Sequence, residues 1–401
     1  MSNTLITCSI VAKEALAIIE NMLSFAGMVN RDWQDEFSGN QQRGYSPGQT
    51  INIKRPPRYT YRAGRVALPQ STVETTVPLT LSQGGTDLNF TSLERTVSIQ
   101  QFESKLQAAV ACVVNEIDRQ GLQLAHYATY NTLGTPGTLP TTQALAMAAI
   151  AGCNQRLDEM GAPRDKQRGF VMNPALNAAT IQGFAGMFNS QDKLSKQFGS
   201  GMMVDSLGLA YAMDQNVDLH TNGAQAVTGT AVAAGLSGAS IACAALANPI
   251  TRGSIITFPG VYAVNPQSRV STGNLAQFVI TSDLAGGATA LPISPALTPT
   301  GAFQNVSNAT TAANFAIFGT ASGSYNTSVA FHKDAFTLAM VPMWAPPGGK
   351  GVIDVKQVSD QGLTVKVTEF YDGVNDNSIM RLDVLFGWAA TYPELSVKYA
   401  T

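Results

Sequence analysis

Apolar residues recur every three or four positions in three segments of the chain, which is the spacing of one face of a helix. The pattern predicts helices at about residues 9–25, 98–130 and 142–160. The second would be about 45 Å long, well above the usual three turns, and would act as a spine. Ser98 and Gln101 have the spacing of a capping box at its start.

Other segments carry the patterns of strands. Alternation of apolar and polar residues predicts half-buried strands at 352–356 and 363–367. Phe170–Met172 is a short apolar run typical of a strand. Asn173 and Pro174 follow it and predict the start of a helix, with asparagine as the cap and proline at the first helical position. The chain therefore mixes helices and strands.

The strongest shift in composition lies between Thr221 and Ser328. Only three residues of this tract are charged, namely Arg252, Arg269 and Asp283. Short apolar runs alternate with Gly, Ala, Ser, Thr and Asn, which predicts a small all-β barrel or sandwich. A disordered linker is the alternative, and we favour a folded domain because apolar clusters recur and high net charge is absent.

A basic segment follows the predicted first helix. No acidic residue lies between Glu36 and Glu74, and Pro56-Pro57 favours extended backbone, which predicts a long hairpin with a basic tip. It could bind nucleic acid, or it could pair with acidic surface on a neighbouring subunit. We favour the second interpretation because the net charge is weak and the rest of the chain is rich in strands. The candidate intersubunit contacts are Arg43, Lys54, Arg55, Arg58, Tyr59, Tyr61, Arg62 and Arg65.

The composition limits the class of protein. With 401 residues the chain can bury a substantial core and form two or three domains. Its net charge of −2, with 13% charged residues, excludes a chain that binds nucleic acid through overall charge. We expect no membrane span and no signal peptide, because neither pattern of apolar residues is present. The four cysteines are widely scattered and are expected to be buried free thiols, as in a reducing cytoplasm.

No pattern of residues predicts catalysis or metal binding. His332 and Asp334 could face each other on a strand, but no G-x-S-x-G motif supplies a nucleophile. The other histidines, His126 and His220, are far apart in sequence and lack the spacing of metal ligands. The aspartates in residues 371–377 lack the spacing of a calcium loop and predict a turn between two strands. We therefore predict no catalytic, metal or cofactor site.

The closing segment, Ser328–Lys398, resembles the end of major capsid (coat) proteins of tailed bacteriophages. The likeness is carried by V-A-F-H-K-D-A-F-T-L-A-M at 329–340 and by Y-P-E-L-S-V-K at 392–398. Phe170-Val-Met-Asn-Pro174 is similar to the start of the axial domain, and Arg252–Val261 to a strand pair in an inserted domain. The resemblance is to the Salmonella short-tailed-phage type, which carries such an insert.

The resemblance implies an α+β chain with the Hong Kong 97-type phage capsid fold. It also implies a division of the chain into segments. These are an N-terminal arm at 1–40, an extended hairpin loop at 41–78, a peripheral domain with the spine helix at 79–165 completed by part of 345–390, an axial domain with the core sheet at 166–220 and 329–401, and an inserted small β domain at 221–328.

The implied function is structural: pentamers and hexamers of the chain would close an icosahedral shell around phage double-stranded DNA. The resemblance implies assembly in the host bacterial cytoplasm into the capsid of a virion, without enzyme activity, cofactor or membrane. The expected partners are further copies of the chain, a separate scaffolding protein, a portal, a decoration protein in some shells, and DNA held weakly and without sequence preference. The alternatives are an encapsulin-like nanocompartment shell and a soluble hydrolase, which should form only a small oligomer.

Overall fold

A computed structural model describes residues 23–34, 48–67, 69–91, 102–184, 205–344, 352–360 and 363–401. The chain divides into two compact units. The first is formed by Met1–Ile53, Val77–Gly121 and Thr337–Ala389, and the second by Lys54–Thr76, Leu122–Phe336 and Ala390–Thr401. The peripheral segment expected at 79–165 is thus shared between the two units, with the border after Gly121.

The described residues contain three α-helices: α1 (Phe102–Ala128), α2 (Gln143–Glu159) and α3 (Pro174–Phe184). The spine prediction is confirmed for α1, whose 27 residues extend about 40 Å. The predicted caps are also confirmed for α3, because the Asn173 side chain accepts the backbone N–H of Leu176 at 2.9 Å. The helix expected at 9–25 lies outside the described residues except 23–25, which form a turn.

The described strands are β1 (Thr50–Arg55), β2 (Thr75–Thr80), β3 (Ser82–Thr91), β4 (Thr132–Gly134), β5 (Arg168–Met172), β6 (Ala210–Met213), β7 (Leu219–Thr221), β8 (Thr228–Val232), β9 (Gly238–Ala242), β10 (Ile255–Val264), β11 (Ser271–Ile280), β12 (Ala290–Leu297), β13 (Ala313–Ile317), β14 (Ser324–His332), β15 (Thr337–Met340), β16 (Val352–Asp360), β17 (Leu363–Asp372), β18 (Asn377–Ala389) and β19 (Ser396–Ala400). The strands predicted at 170–172, 352–356 and 363–367 are confirmed as β5, β16 and β17.

The first unit is built on an antiparallel sheet around the long strand β18. Strands β3 and β17 pair with opposite edges of β18, β15 pairs with the end of β18 at residues 386–389, and β16 pairs with the outer edge of β17. Trp388 on β18 stacks on Phe25, with 5.4 Å between the ring centroids. The paired strands β1 and β2 bury Ile53 and Leu79 in a cluster with Ala339 of β15. This sheet therefore holds the base of the predicted hairpin.

The core sheet of the second unit has the order β4-β19-β14-β5-β6, with β7 paired to the end of β14. The pairs β19–β4 and β5–β6 are parallel, and β14 is antiparallel to both of its neighbours. Helices α2 and α3 cover this sheet with apolar side chains. The buried residues of the shared cluster include Ile150, Leu157, Phe170, Phe184 and Val397.

A second sheet of the same unit has six antiparallel strands in the order β8-β13-β10-β11-β12-β9. A bridge between Val232 and Cys243 joins its two edge strands, which makes it a small closed barrel. Its core contains Phe258, Phe278 and Phe315. The predicted β architecture of this tract is thus confirmed as a barrel.

The described cysteines differ in their environments. Cys153 is buried, and desolvation raises the pKa of its thiol to about 12. Cys112 is exposed and Cys243 partly exposed, so the expectation of buried thiols is wrong for these two. Among the described helices, none is both long and apolar enough to cross a lipid bilayer.

Candidate intersubunit contact site

The hairpin loop between β1 and β2, residues 56–74, folds on itself. The Thr60 backbone N–H donates to Gln70 Oε1 at 2.8 Å, and Gln70 Nε2 donates to the Thr60 carbonyl at 2.7 Å. The guanidinium of Arg62 donates to the carbonyl oxygens of Gly64 and Val66 at the tip. The described part of the loop therefore has a defined shape although it contains no regular secondary structure.

Glu394 connects this loop to the C-terminal segment. Its Oε1 accepts hydrogen bonds from Arg55 Nη2 at 2.5 Å and from Arg58 Nη2 at 3.1 Å. The side chain of Glu394 is only 13% exposed, and it lies in a 3₁₀ turn just before β19. Arg55 also lies over the ring of Tyr392, 4.9 Å from its centroid. Two charge-assisted bonds at a largely buried carboxylate hold the loop against the second unit's core sheet.

The structure brings several predicted contact residues together within the chain itself. Lys54 pairs with Glu74 at 3.1 Å in an exposed ion pair, and Tyr59 bonds Thr72 through its hydroxyl at 3.0 Å. Lys54, Arg55 and Arg58 therefore have acidic partners in their own chain, and both partners lie outside the acid-free interval. Their role in intersubunit contact remains a prediction.

The remaining candidates lie at the tip of the loop or beyond the description. Tyr61 is 94% exposed, and Arg65 is exposed beside it. Arg62 shapes the tip through its carbonyl partners. Arg43 lies outside the described residues. Tyr61 and Arg65 are thus the candidates that the isolated chain leaves most open to a neighbour.

A cleft of about 720 Å³ lies between the base of the loop, the barrel and the C-terminal segment. Its walls come from residues 55–59, strands β10 and β11, residues 295–306 and residues 392–395. Arg269 lies in the wall and donates to the carbonyl oxygens of Tyr59 and Ala302 at 3.1 and 3.5 Å. Its Nε is buried and has no hydrogen-bond partner among the described residues.

A buried polar cluster lies against the core sheet. The spacing of its residues along the sequence did not predict it. His126 Nε2 and His220 Nδ1 are 3.2 Å apart, although 94 residues separate them in the chain. Lys398 on β19 is 1% exposed and donates from Nζ to the His126 carbonyl at 2.9 Å. His220 also contacts Asn222 and Ser254 at 3.1 and 3.2 Å.

Burial and mutual repulsion determine the protonation of this cluster. Desolvation lowers the pKa of Lys398 to about 7, opposed by the nearby Asp218 carboxylate. Desolvation and then the charge of Lys398 lower the pKa of His220 to about 4 and that of His126 well below its usual value. The cluster consequently favours neutral bases. The described residues contain no group of three or more His, Cys, Asp or Glu side chains placed to hold a metal.

The suspected pair of His332 and Asp334 is a capping arrangement. The side chain of His332 accepts the backbone N–H of Asp334 at 3.3 Å, at the start of a 3₁₀ turn. Its Nε2 faces both carboxylate oxygens of Asp165 at 3.2 Å. The predicted turn at 371–377 is confirmed as the connection between β17 and β18.

Residues 73–399 match the model of a protein family described as P22 coat protein, gene protein 5. The match covers well over half of the chain. The chain belongs to the P22 coat protein family. It is a structural major capsid protein of a tailed phage, which forms the shell of the virion with further copies of itself. Family membership does not favour the nanocompartment alternative.

This coat protein also has matches among solved structures. A structure from Mycobacterium phage Che8 has 13% sequence identity and a TM-score of 0.51, and the match covers 94% of this chain and 91% of that one. The mature capsid of bacteriophage PhiM1 matches with 9% identity, a TM-score of 0.44 and coverage of 88% and 82%. A virus-like particle from Pyrococcus furiosus matches with 9% identity, a TM-score of 0.41 and coverage of 97% of each chain. No curated protein matches this chain.

The family and the first of these structures support the Hong Kong 97-like α+β capsid fold. Within this coat protein, Glu394 is the site residue that the sequence patterns did not single out. It is the sole acidic residue after Asp383. Its isolation from other acidic residues is the one feature of the sequence that could have singled it out. The sequence could not identify its partners, because Arg55 and Arg58 lie more than 330 residues earlier.

Proposed function

We propose that this coat protein closes an icosahedral shell of pentamers and hexamers by presenting the tip of its hairpin loop to a neighbouring subunit. The carrying observation is that Glu394 holds the loop at Arg55 and Arg58, while Tyr61 and Arg65 remain exposed. A loop held at its base can present its tip with a smaller loss of conformational entropy on binding. An aromatic ring and an arginine are the side chains most often dominant at interfaces.

Residues 221–328 act in this proposal as a module inserted in the axial domain. Thr221 at the end of β7 pairs with Ser324 at the start of β14, so the chain leaves and re-enters the core sheet side by side. The barrel between these points has its own apolar core. Both features support an insertion. The same proposal includes the remaining segments of the chain. These are the arm at 1–40, the loop at 41–78, the peripheral domain at 79–165 with part of 345–390, and the axial domain at 166–220 and 329–401.

The shell would enclose double-stranded DNA and contact it weakly. A net charge of −2 supplies little attraction for phosphates, and such binding should fall steeply with salt and ignore sequence. Assembly would take place in the host cytoplasm with a separate scaffolding protein and a portal, and with a decoration protein in some shells. The chain would carry no enzyme activity in this role.

Electron microscopy of the purified full chain tests this function, alone and with scaffolding protein of the same phage. We expect closed icosahedral shells, and a chain that elutes from size exclusion as subunits and shells. A chain that forms only a dimer or tetramer under all conditions would contradict the proposal. Shells that contain a cellular enzyme in place of DNA after infection would contradict the phage role.

A further inference from the structure

The turn between β17 and β18 is a rigid, acidic projection with an apolar tip. Val374 at its centre is 91% exposed. Asp372 accepts the Val374 backbone N–H at 3.0 Å and the Asn375 side-chain amide at 2.7 Å, and Tyr371 donates its hydroxyl to Asp376 at 2.7 Å. These bonds fix the turn before any partner binds. The exposed apolar side chain of Val374 lies between two carboxylates, and its burial against a partner would remove it from water.

The cleft beside the hairpin loop has the complementary properties. Arg55, Arg58 and Arg269 line it, and Glu394 is the one carboxylate in its described wall, so its net charge is positive. Phe278 and Phe303 contribute aromatic surface to the same walls. A volume of about 720 Å³ lies within the range of clefts that bind ligands, which is roughly 300–1,000 Å³.

Arg269 gives this cleft an unused hydrogen-bond donor. Its described partners are neutral carbonyl oxygens, so no described carboxylate neutralises its charge. Its Nε also has no hydrogen-bond partner among the described residues, so the guanidinium that lines the cleft is incompletely satisfied within the chain. A carboxylate is the acceptor that matches a guanidinium best.

We propose that the 371–376 turn of one subunit docks into the cleft of a second copy of this chain. Val374 would enter between the aromatic walls, and Asp372 and Asp376 would meet the arginines at the rim. This contact rests on the proposed shell function and names a second pair of surfaces for it. Glu394 inside the cleft disfavours a nucleic-acid backbone, whose phosphates would approach this carboxylate without an apolar group to bury.

The proposed contact joins two different surfaces, so it is heterologous. A heterologous contact repeats from one subunit to the next and forms a ring when the rotation closes. The same contact could therefore serve both pentamers and hexamers if the turn pivots slightly in the cleft. A contact of one surface with its own copy would stop at a dimer.

Engineered disulfides test this geometry in assembled full-length protein. The double variant Val374→Cys/Gln267→Cys places one thiol on the turn and one at the exposed rim of the cleft. Mild oxidation should yield a ladder of covalent oligomers beyond the dimer. A mixture of the two single variants should yield dimers alone, and each single variant reports the background from the native cysteines. A double variant without interchain links, or one that stops at dimers, would overturn the proposal.

Removal of charge tests the energetics. Asp372→Asn/Asp376→Asn removes both charges and keeps one acceptor oxygen at each position, so one of the two bonds accepted by Asp372 is lost, and asparagine tolerates the positive φ of 52° at residue 376. The subunit concentration needed for assembly should rise about fivefold or more, because paired charges at an interface lose their partners, while subunit melting should change little because the turn is exposed. Arg269→Gln should have a similar effect, and the combined variant should be less than additive. Asp87→Asn, which removes an exposed charge from β3, is the matched control.

The outcomes separate the contact from the shell function. If the unmodified chain forms no shells, the proposed function fails first. If Asp372→Asn/Asp376→Asn assembles at the wild-type concentration, the docking proposal fails and the shell function stands. Binding of a short DNA duplex that Arg269→Gln abolishes, without disulfide links between turn and cleft, would also overturn it and assign the cleft to nucleic acid.

Discussion

Arg55 donates a hydrogen bond to Glu394 across 339 residues of sequence. The carboxylate is largely buried and accepts a bond from Arg58 as well, so the loss of either arginine would leave it with a single described cationic partner. The bond joins the base of the hairpin loop to the turn before β19 in the core sheet. The position of the hairpin loop therefore depends on a residue that lies more than 330 positions away in the sequence.

Glu394→Gln should loosen the hairpin loop while the subunit stays folded. The neutral amide can no longer form two charge-assisted bonds, and the local loss should be about 1–2 kcal/mol. Hydrogen exchange of the 54–62 amides should then accelerate about tenfold, since exchange reports local opening. Glu74→Gln breaks the exposed pair with Lys54 and should change exchange far less. Equal effects of the two variants would refute the role of Glu394.

Tyr61→Ser/Arg65→Glu should weaken assembly without changing subunit stability. Both side chains are exposed in the isolated chain, so their replacement removes no described internal packing. Light scattering should show assembly only at about tenfold higher concentration, the size of effect expected for aromatic and arginine anchors. Lys356→Glu, a charge reversal at an exposed position of β16, is the control. Normal assembly of the double variant would place the contact elsewhere.

Charge reversal at Arg58 and Arg62 would not test intersubunit contact alone, because both side chains also form bonds within the chain. Arg58 bonds Glu394, and Arg62 bonds the carbonyl oxygens of the tip. Arg58→Glu/Arg62→Glu should still leave a folded subunit, but it should misdirect assembly by changing the shape of the loop as well as its charge. Limited proteolysis should therefore cut the loop faster than in Tyr61→Ser/Arg65→Glu. Identical cleavage rates would contradict this distinction.

Lys398→Met should remove a pH dependence of stability between about pH 7 and 10. The unfolded chain protonates this lysine below about 10.5, whereas burial delays protonation in the folded subunit to about pH 7. Lowering the pH through this window therefore favours the unfolded state, by up to about 1.4 kcal/mol per pH unit. For Lys398 desolvation is the main cause and Asp218 opposes it, while Lys398, His220 and Arg252 act on His126 and lower its pKa further.

Urea unfolding of unassembled subunits at pH 7, 8.5 and 10 measures this effect. The wild-type protein should gain stability relative to Lys398→Met as the pH rises. Tyrosines and surface lysines titrate in both proteins, so the difference isolates Lys398. Parallel stability curves would show that Lys398 keeps its ordinary pKa in the native state and is not desolvated there.

Gly121→Ala should destabilise the first unit although alanine favours helices. A Cβ at this position of α1 would lie 2.5 Å from Trp388 Cζ2 and 2.9 Å from Phe25 Cδ1. Overpacking against two rings should cost roughly 1–3 kcal/mol, more than the helix propensity returns. Gly152→Ala in α2 meets only Leu133 Cδ1, at 3.4 Å, and should be neutral or stabilising. Thermal melts that rank the two variants in the opposite order would refute this packing argument.

The sequence determined the elements whose signals are local. Thr142 and Asn173 cap α2 and α3 because a side-chain oxygen next to the first turn needs no distant partner. Apolar clusters in a charge-poor tract indicated the strands β10, β11 and β13, and the absence of acidic residues marked the loop. Sequence resemblance to the coat proteins of tailed phages near the C-terminus indicated the capsid fold.

Tertiary structure alone decided which distant residues meet. Glu394 reaches Arg58, and His126 reaches His220 and Lys398, because β19 and the end of α1 pack beside β7 and the loop base in one unit. Hydrophobic periodicity and capping signals extend over only a few residues. They therefore do not predict which distant residues come into contact. Burial then shifts the pKa of Lys398 through desolvation, a property of the surrounding packed atoms that the side chain itself does not possess.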